Sequence, residues 1–366
     1  MRLLYLTNIP TPYRIKRFND LSAIMQQYKI ELEVLFMAES EPNRNWVINY
    51  ESIKFNYKIW SGIHPSFGQM YAHFNPSLLL RLLKKDYDYI VVGGISCPTL
   101  WMSKAFIPSR VKKIMSVETN LKGQTSKTGL KRLVKKYLLR GYDAYQVTGS
   151  PQREYIEYFS LSNNNIYIKL PNLIDHNLFR NLHLKKEERN YKLVIIPARI
   201  ISYKIPSQFL DATRNLKNIR FIIVGTGAQE YVSYVKNRII DENLPIEILD
   251  FVQQNDMVTL YNSADYFCLP TQEDPSPLSP IEAIACGLPL LISKLAGNVD
   301  DVLMEGLNGF SFDPYNSEEM ASLFKKITLI EDMLYNKMSL QSCMRYNEVF
   351  DNEKCLLSYV QQILSL

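Results

Sequence analysis

Glu273 and Asp274 stand just before a short Pro/Ser loop, Pro275-Ser276-Pro277-Leu278, and Glu282 stands just after it. Ionised carboxylates accept hydrogen bonds and donate none, so carboxylates on both sides of a loop can grip hydroxyl groups. The apolar run Tyr266–Leu269 reads as a strand leading into the loop. Leu278–Cys286 reads as the helix leaving it, stopped by Gly287-Leu288-Pro289. Such a strand-to-helix loop is where open α/β sheets bind ligands. Glu282 then lies about one turn into the helix, with its side chain leaning back toward the N-terminus. Ordinary helix-start acidity would place acids similarly, and two carboxylates around a sugar would also suit hydrolysis.

A pair of cations narrows the chemistry. The strand Val194–Pro197 ends at Ala198-Arg199, and Lys204 follows before Pro206. A guanidinium and an ammonium at the edge of a parallel sheet can neutralise a diphosphate leaving group. Solvated loop cations are the plain alternative. Gly225-Thr226-Gly227 follows the strand Phe221–Val224 and opens a helix, but it lacks the third glycine of a dinucleotide fingerprint. It reads equally as a simple turn or as a place where a phosphate or nucleoside approaches the backbone. Phe251-Val252 closes the next strand, either as a core edge or as a flat platform for a nucleobase.

These sites need elements to hold them. With 366 residues, 46% hydrophobic and 22% charged, the chain suits two globular domains. Apolar strands alternate with amphipathic stretches from Leu3–Thr7 to Ala144–Thr148, and again from Leu193–Pro197 to Pro289–Ile292. That alternation predicts parallel, doubly wound sheets. The polar stretch from Asn172 to Arg189 reads as the link between them. The domains expected are 1–170 and 171–350, with a helix over 351–366 returning to the first.

Cys97, Cys268, Cys286, Cys343 and Cys355 are scattered without CxxC or His/Cys clustering, so they read as reduced core residues of a cytoplasmic protein. Met1–Leu6 turns into Asn8-Ile9-Pro10 too soon for a signal peptide, and no apolar run is long enough for a bilayer span. The net charge of +5 is uneven: residues 1–170 carry 24 Lys and Arg against 12 Asp and Glu, whereas the remainder is net acidic. Glu118 is the only acid among the cations of 104–140. Lys131-Arg132 and Lys135-Lys136 sit there on a candidate amphipathic helix, suited to an anionic membrane or simply to water. Few aromatics interleave these cations, so nucleic acid is a poor fit.

Taken in this order, the residues resemble the retaining glycosyltransferase family 4, also called group 1 glycosyltransferases. Asp274-x7-Glu282 followed by Ala283–Pro289 is similar to its E-x7-E helix. Arg199 and Lys204 match its R-x4-K pair, Val224–Gly227 its V-G-x-G turn, and Asp250-Phe251-Val252 its G-F-V segment. Pro171–Asp175 and Gly306–Gly309 resemble its P-N-G-V-D and D-G-x-N-G segments. In the first domain, Pro12-Tyr13-Arg14 resembles an N-terminal loop found in some members. Glu118 stands where many members carry a histidine. The first hallmark acid is Asp274, although adjacent Glu273 has the family's residue type. Pro277 replaces a glycine that offers an N–H, so that contact falls to Ser276 or Leu278.

The resemblance implies an α/β GT-B fold, two Rossmann-like domains with parallel sheets facing a central cleft. It implies sugar transfer from a nucleotide diphosphate with retention, without metal or cofactor. Arg199 and Lys204 would stabilise the leaving diphosphate, Glu282 the ribose, and Asp274 or Glu273 the sugar. Glu118 would replace the missing histidine. Gly225, Gly227, Phe251, Val252, Ser276, Pro277 and Leu278, with Pro12 and Tyr13, would border the donor. A UDP-sugar is the favoured donor. The acceptor would be a glycan or a lipid-diphosphate-linked glycan in bacterial surface polysaccharide assembly (lipopolysaccharide or capsule), with peripheral membrane contact through 104–140. An epimerase or a non-catalytic sugar-binding relative are the alternatives.

Overall fold

The structure, a computed structural model, describes residues 1–41, 47–67, 70–121, 129–159, 164–182 and 188–366. Lys122, Lys127 and part of the expected link, 183–187, lie outside the described residues. The chain divides into two compact units: Met1–Pro171 with Asn352–Leu366, and Asn172–Asp351.

In the first unit the described strands are β1 (Arg2–Thr7), β2 (Glu31–Phe36), β3 (Asn56–Ile59), β4 (Ser66–Phe67), β5 (Met70–Tyr71), β6 (Tyr89–Val92), β7 (Lys112–Val117), β8 (Ala144–Val147) and β9 (Tyr167–Lys169). All but β4 and β5 form one parallel sheet in the order β3-β2-β1-β6-β7-β8-β9. Its helices are α1 (Pro12–Gln27), α2 (Pro76–Leu82), α3 (Pro98–Phe106), α4 (Gly129–Leu139) and α5 (Ser150–Phe159). Three of them, α1, α2 and α3, open with proline, whose fixed φ and missing N–H suit the first helical turn.

The second unit carries β10 (Lys192–Pro197), β11 (Ile219–Val224), β12 (Ile246–Leu249), β13 (Tyr266–Leu269), β14 (Leu290–Ser293) and β15 (Gly309–Phe312). They are parallel in the order β12-β11-β10-β13-β14-β15. Its helices are α6 (Ser207–Ala212), α7 (Gln229–Asp241), α8 (Gln254–Ser263), α9 (Ser279–Ala285), α10 (Val299–Val302), α11 (Ser317–Thr328) and α12 (Asp332–Val349). The central strands β13 and β14 are buried at every position, which is why they read as unbroken apolar runs. Phe209, Phe221 and Phe324 meet edge-to-face at 5.0–6.1 Å and fix α6 and α11 on one face.

The last helix, α13 (Asn352–Leu364), belongs to the first unit. Tyr359 donates to Gln146 Oε1 at 2.6 Å, and Gln146 Nε2 in turn donates to Tyr5 and Ser116, both at 3.0 Å. This buried network joins α13 to β1, β7 and β8.

Most expected elements are present within a residue or two, and the short helix after Pro206 ends at Ala212. Asn215 and Asn218 adopt left-handed backbone, at φ 56° and 58°, which stops a helix. Several elements were not legible in the sequence. The strand β3 is largely exposed and lacks alternation. In α12 the buried stripe is Met338, Ser342 and Tyr346, while Met333, Leu334, Leu340 and Met344 are exposed, so its helical period is blurred.

Candidate functional site

In the second unit the chain runs outward from β10 through β11 to β12, then returns to β13 on the other side of β10. The crevice beyond the carboxyl ends of β10 and β13 is therefore a topological switch point, the ligand-binding place of such sheets. Arg199 and Lys204 lie in the loop after β10. Glu273 and Asp274 lie in the loop after β13. Residues 70 positions apart thus meet: Lys204 Nζ pairs with Asp274 Oδ2, the two side chains only 13% and 15% exposed. Arg199 is exposed beside them in sequence, its guanidinium 3.5 Å from the Tyr203 hydroxyl. Among the described residues no partner bonds the Glu273 carboxylate, whose backbone is tied through the Thr271 hydroxyl.

Backbone bonds clamp the acidic loop from both sides. The Tyr203 carbonyl accepts from the Gln272 N–H at 2.7 Å and the Thr271 hydroxyl at 3.1 Å. On the far side the Gly297 N–H donates to Asp274 O at 2.7 Å, and Asn298 Nδ2 to Pro277 O at 2.8 Å. Asn172 Nδ2 bonds both the carbonyl and hydroxyl of Ser276, at 3.0 and 2.9 Å. A Cβ on Gly297 would overlap the Pro275 carbonyl, so only glycine admits this approach. Among the described residues, none accepts from the N–H of Ser276 or Leu278. Those donors stand where Pro277 has none.

Glu282, in the first turn of α9, is 5% exposed. One carboxylate oxygen accepts from the buried Tyr261 hydroxyl at 2.6 Å. Tyr261 on α8 is a positioning partner with no sequence signal beyond its apolar helix. Tyr203 and Thr271 likewise carry none. The Gly297-Asn298 turn is the only visible hint of that clamp.

Gly225 and Gly227 are required by the protein's own backbone. Added Cβ atoms there would overlap the carbonyls of Ala198 and Ile200. The backbone of 198–200 passes close on that side: Ala198 and Ile200 N–H groups bond Val224 and Thr226 carbonyls at 3.1 and 2.9 Å. The glycines thereby hold the strand extension that carries Arg199. Phe251 and Val252 are half-buried in the loop between β12 and α8.

In the first unit the loop after β1 enters α1 at Pro12, and Tyr13 is half-buried beside it. The Thr11 hydroxyl caps α1 by accepting the Arg14 N–H at 3.3 Å. Burial pulls the Arg14 guanidinium below its usual range, while Glu118, exposed just beyond β7, pulls it back up. Among the described residues no group of three His, Cys, Asp or Glu side chains is placed to hold a metal.

The helix α4 packs in an unusual sense. Arg132 and Lys135 lie over the rings of Tyr158 and Phe159 on α5, at 5.0 and 5.5 Å. Leu130, Leu133, Val134 and Tyr137 are instead 76%, 62%, 49% and 72% exposed. Their spacing forms one outward apolar stripe. No described helix is long and apolar enough to cross a membrane.

Two parallel Rossmann-like units, with cations and acids meeting at the switch point of the second, define the GT-B fold class. A crystal structure of Anabaena Alr3699/HepE in complex with UDP is similar over 100% of both chains, with TM-score 0.77 and 19% identity. Residues 179–341, within the second unit, match the family model of group 1 glycosyl transferases, the group that the motifs resemble. An uncharacterized glycosyltransferase of Haemophilus influenzae is 31% identical over 165 residues, 43% of this chain and 44% of the relative. The N,N'-diacetylbacillosaminyl-diphospho-undecaprenol alpha-1,3-N-acetylgalactosaminyltransferase of Campylobacter jejuni is 23% identical, over 50% of this chain and 46% of the relative. The UDP-Gal:alpha-D-GlcNAc-diphosphoundecaprenol alpha-1,3-galactosyltransferase of Escherichia coli is 26% identical over 42% and 40%. The chain thus spans less than half the length of these curated relatives.

Proposed function

We propose that this protein is a retaining, metal-independent hexosyltransferase that takes a sugar from a UDP-sugar and passes it to a lipid-diphosphate-linked glycan. The observation that carries this reading is the meeting of Lys204 with Asp274 at the switch point, beside exposed Arg199 and a Glu273 carboxylate that no described residue bonds. A hydrolase would pair two acids around the sugar and would need no cations facing a diphosphate.

The roles divide by partner. Lys204 and Arg199 face the diphosphate and offset the charge that grows on it as the glycosidic bond breaks. Asp274, already engaged by Lys204, holds that ammonium in place. Glu273 accepts from the sugar hydroxyls. Glu282, oriented by Tyr261, offers its carboxylate to the ribose. The N–H groups of Ser276 and Leu278 supply the donors that Pro277 cannot. In the first unit Glu118, with Arg14, serves the acceptor side.

The names of the Campylobacter jejuni and Escherichia coli relatives support an undecaprenyl-diphosphate acceptor. The outward stripe of α4, flanked by Lys131 and Lys136, fits peripheral contact with an anionic bilayer, where apolar side chains enter the headgroup region and cations meet lipid charge. Incubation with UDP-, GDP- and ADP-sugars should release UDP, with EDTA making no difference. The anomeric configuration of the product, read by NMR, should match the donor. The absence of both turnover and binding with every nucleotide sugar tested would sink the reading.

A further inference from the structure

The first unit holds a hydrogen-bonded chain that the donor site does not use. Glu41 lies past the end of β2, His64 past the end of β3, and His73 shortly before α2. Glu41 Oε1 is 3.0 Å from His73 Nε2, and His73 Nδ1 is 2.9 Å from His64 Nδ1. Asn8, past the end of β1, donates to the same Glu41 oxygen at 3.4 Å. His73 is 2% exposed, whereas His64 is at the surface. Ile63 and Phe74 exchange two backbone hydrogen bonds, at 2.9 and 3.0 Å, which hold the rings in register. Asn8, Glu41 and His64 thus share the carboxyl edge of neighbouring parallel strands, where ligands of such sheets bind.

The order of donors follows from the ends. An ionised carboxylate only accepts, so the His73 hydrogen sits on Nε2. In the neutral pair, His73 Nδ1 is then a lone pair and His64 Nδ1–H is its donor. That leaves a lone pair on Nε2 of the exposed His64, and no described residue bonds it. Burial, and then His73, lowers the His64 pKa, which favours the neutral ring. A neutral ring with that lone pair suits a hydroxyl donor and gives an anion nothing to hold.

We propose that His64 Nε2 is a hydroxyl-recognition site of the first unit, accepting the hydrogen of an alcohol on the acceptor sugar, with His73 and Glu41 positioning it. This rests on the transferase reading for the identity of its ligand. The test begins with side-chain 15N spectra. His64, His73, His176 and His183 are the only histidines, so single substitutions assign them. Neutral His64 should carry its hydrogen on Nδ1. Octyl glycosides of glucose, galactose and N-acetylglucosamine are the probes, and at least one should shift the His64 resonances. His64→Phe should weaken that glycoside about tenfold, which is about 1.4 kcal/mol. His64→Gln, which keeps an acceptor oxygen near the Nε2 position, should stay within about threefold. UDP affinity, measured by calorimetry, should be the same in all three proteins. A hydrogen on His64 Nε2, or no response of His64 to any glycoside, would overturn the proposal. Failure of the wild type to bind UDP would overturn the donor reading instead, and the tautomer result would stand apart from it.

Discussion

Lys204 reaches Asp274 across two loops, while Glu273 keeps its carboxylate unpaired among the described residues. The adjacent acids should therefore fail differently. Glu273→Gln should raise the donor KM, because it removes an acceptor for sugar hydroxyls. Asp274→Asn should chiefly lower kcat, because it frees the Lys204 ammonium to move. Lys204→Ala should lower kcat by about 10²–10³, the size of losing one preorganised charge at a developing oxyanion. Steady-state kinetics with a UDP-sugar separates the three, and equal KM effects for both acids would contradict the division. Gly227→Ala tests the frame behind them. Its methyl would overlap the Ile200 carbonyl, so we expect a loss of about 3 kcal/mol in denaturant unfolding, with activity falling as Arg199 and Lys204 shift.

Among the elements, α4 makes the clearest prediction. Leu133→Glu and Tyr137→Glu place charge in the outward stripe without touching the Arg132 and Lys135 contacts to α5. Sedimentation with phosphatidylglycerol vesicles should fall several-fold in each, while the unfolding midpoint stays put. Binding to neutral vesicles as strong as to anionic ones would contradict the charge part. At the end of α7, Glu242 accepts from Arg214 and Arg238, which holds its carboxyl down at about 2, below the ordinary 4.5. A depressed folded-state pKa stabilises above the unfolded value, and that stability is lost as pH falls from about 4.5 toward 2. Glu242→Gln should flatten this acid limb in thermal unfolding.

For the whole molecule, the chain's return from the second unit to the first is a structural commitment. Tyr359 on α13 bonds Gln146, which links β1, β7 and β8. Tyr359→Phe should cost about 1 kcal/mol, one net buried hydrogen bond. Removing 352–366 should cost far more, since it strips Leu356, Val360 and Ile363 from the core. Chemical denaturation of both variants checks this, and a truncated chain as stable as the full one would contradict it.

The alternation of buried strands and amphipathic helices was legible because parallel strands covered on both faces must be apolar throughout, as β13 and β14 are. The acids around the Pro/Ser loop and the cations after β10 were legible because loops at strand ends advertise themselves by polar residues after apolar runs. What the sequence could not contain was proximity. That Lys204 takes Asp274, 70 positions away, follows from strand order, which sets β10 against β13. That Gly225 and Gly227 receive the chain's own backbone follows from the close passage of 198–200. The Glu41–His73–His64 chain joins residues from separate loops, and nothing in their spacing foretells it. Local periodicity is written in neighbouring residues, whereas the partner of a side chain is chosen by which strands the tertiary fold places side by side.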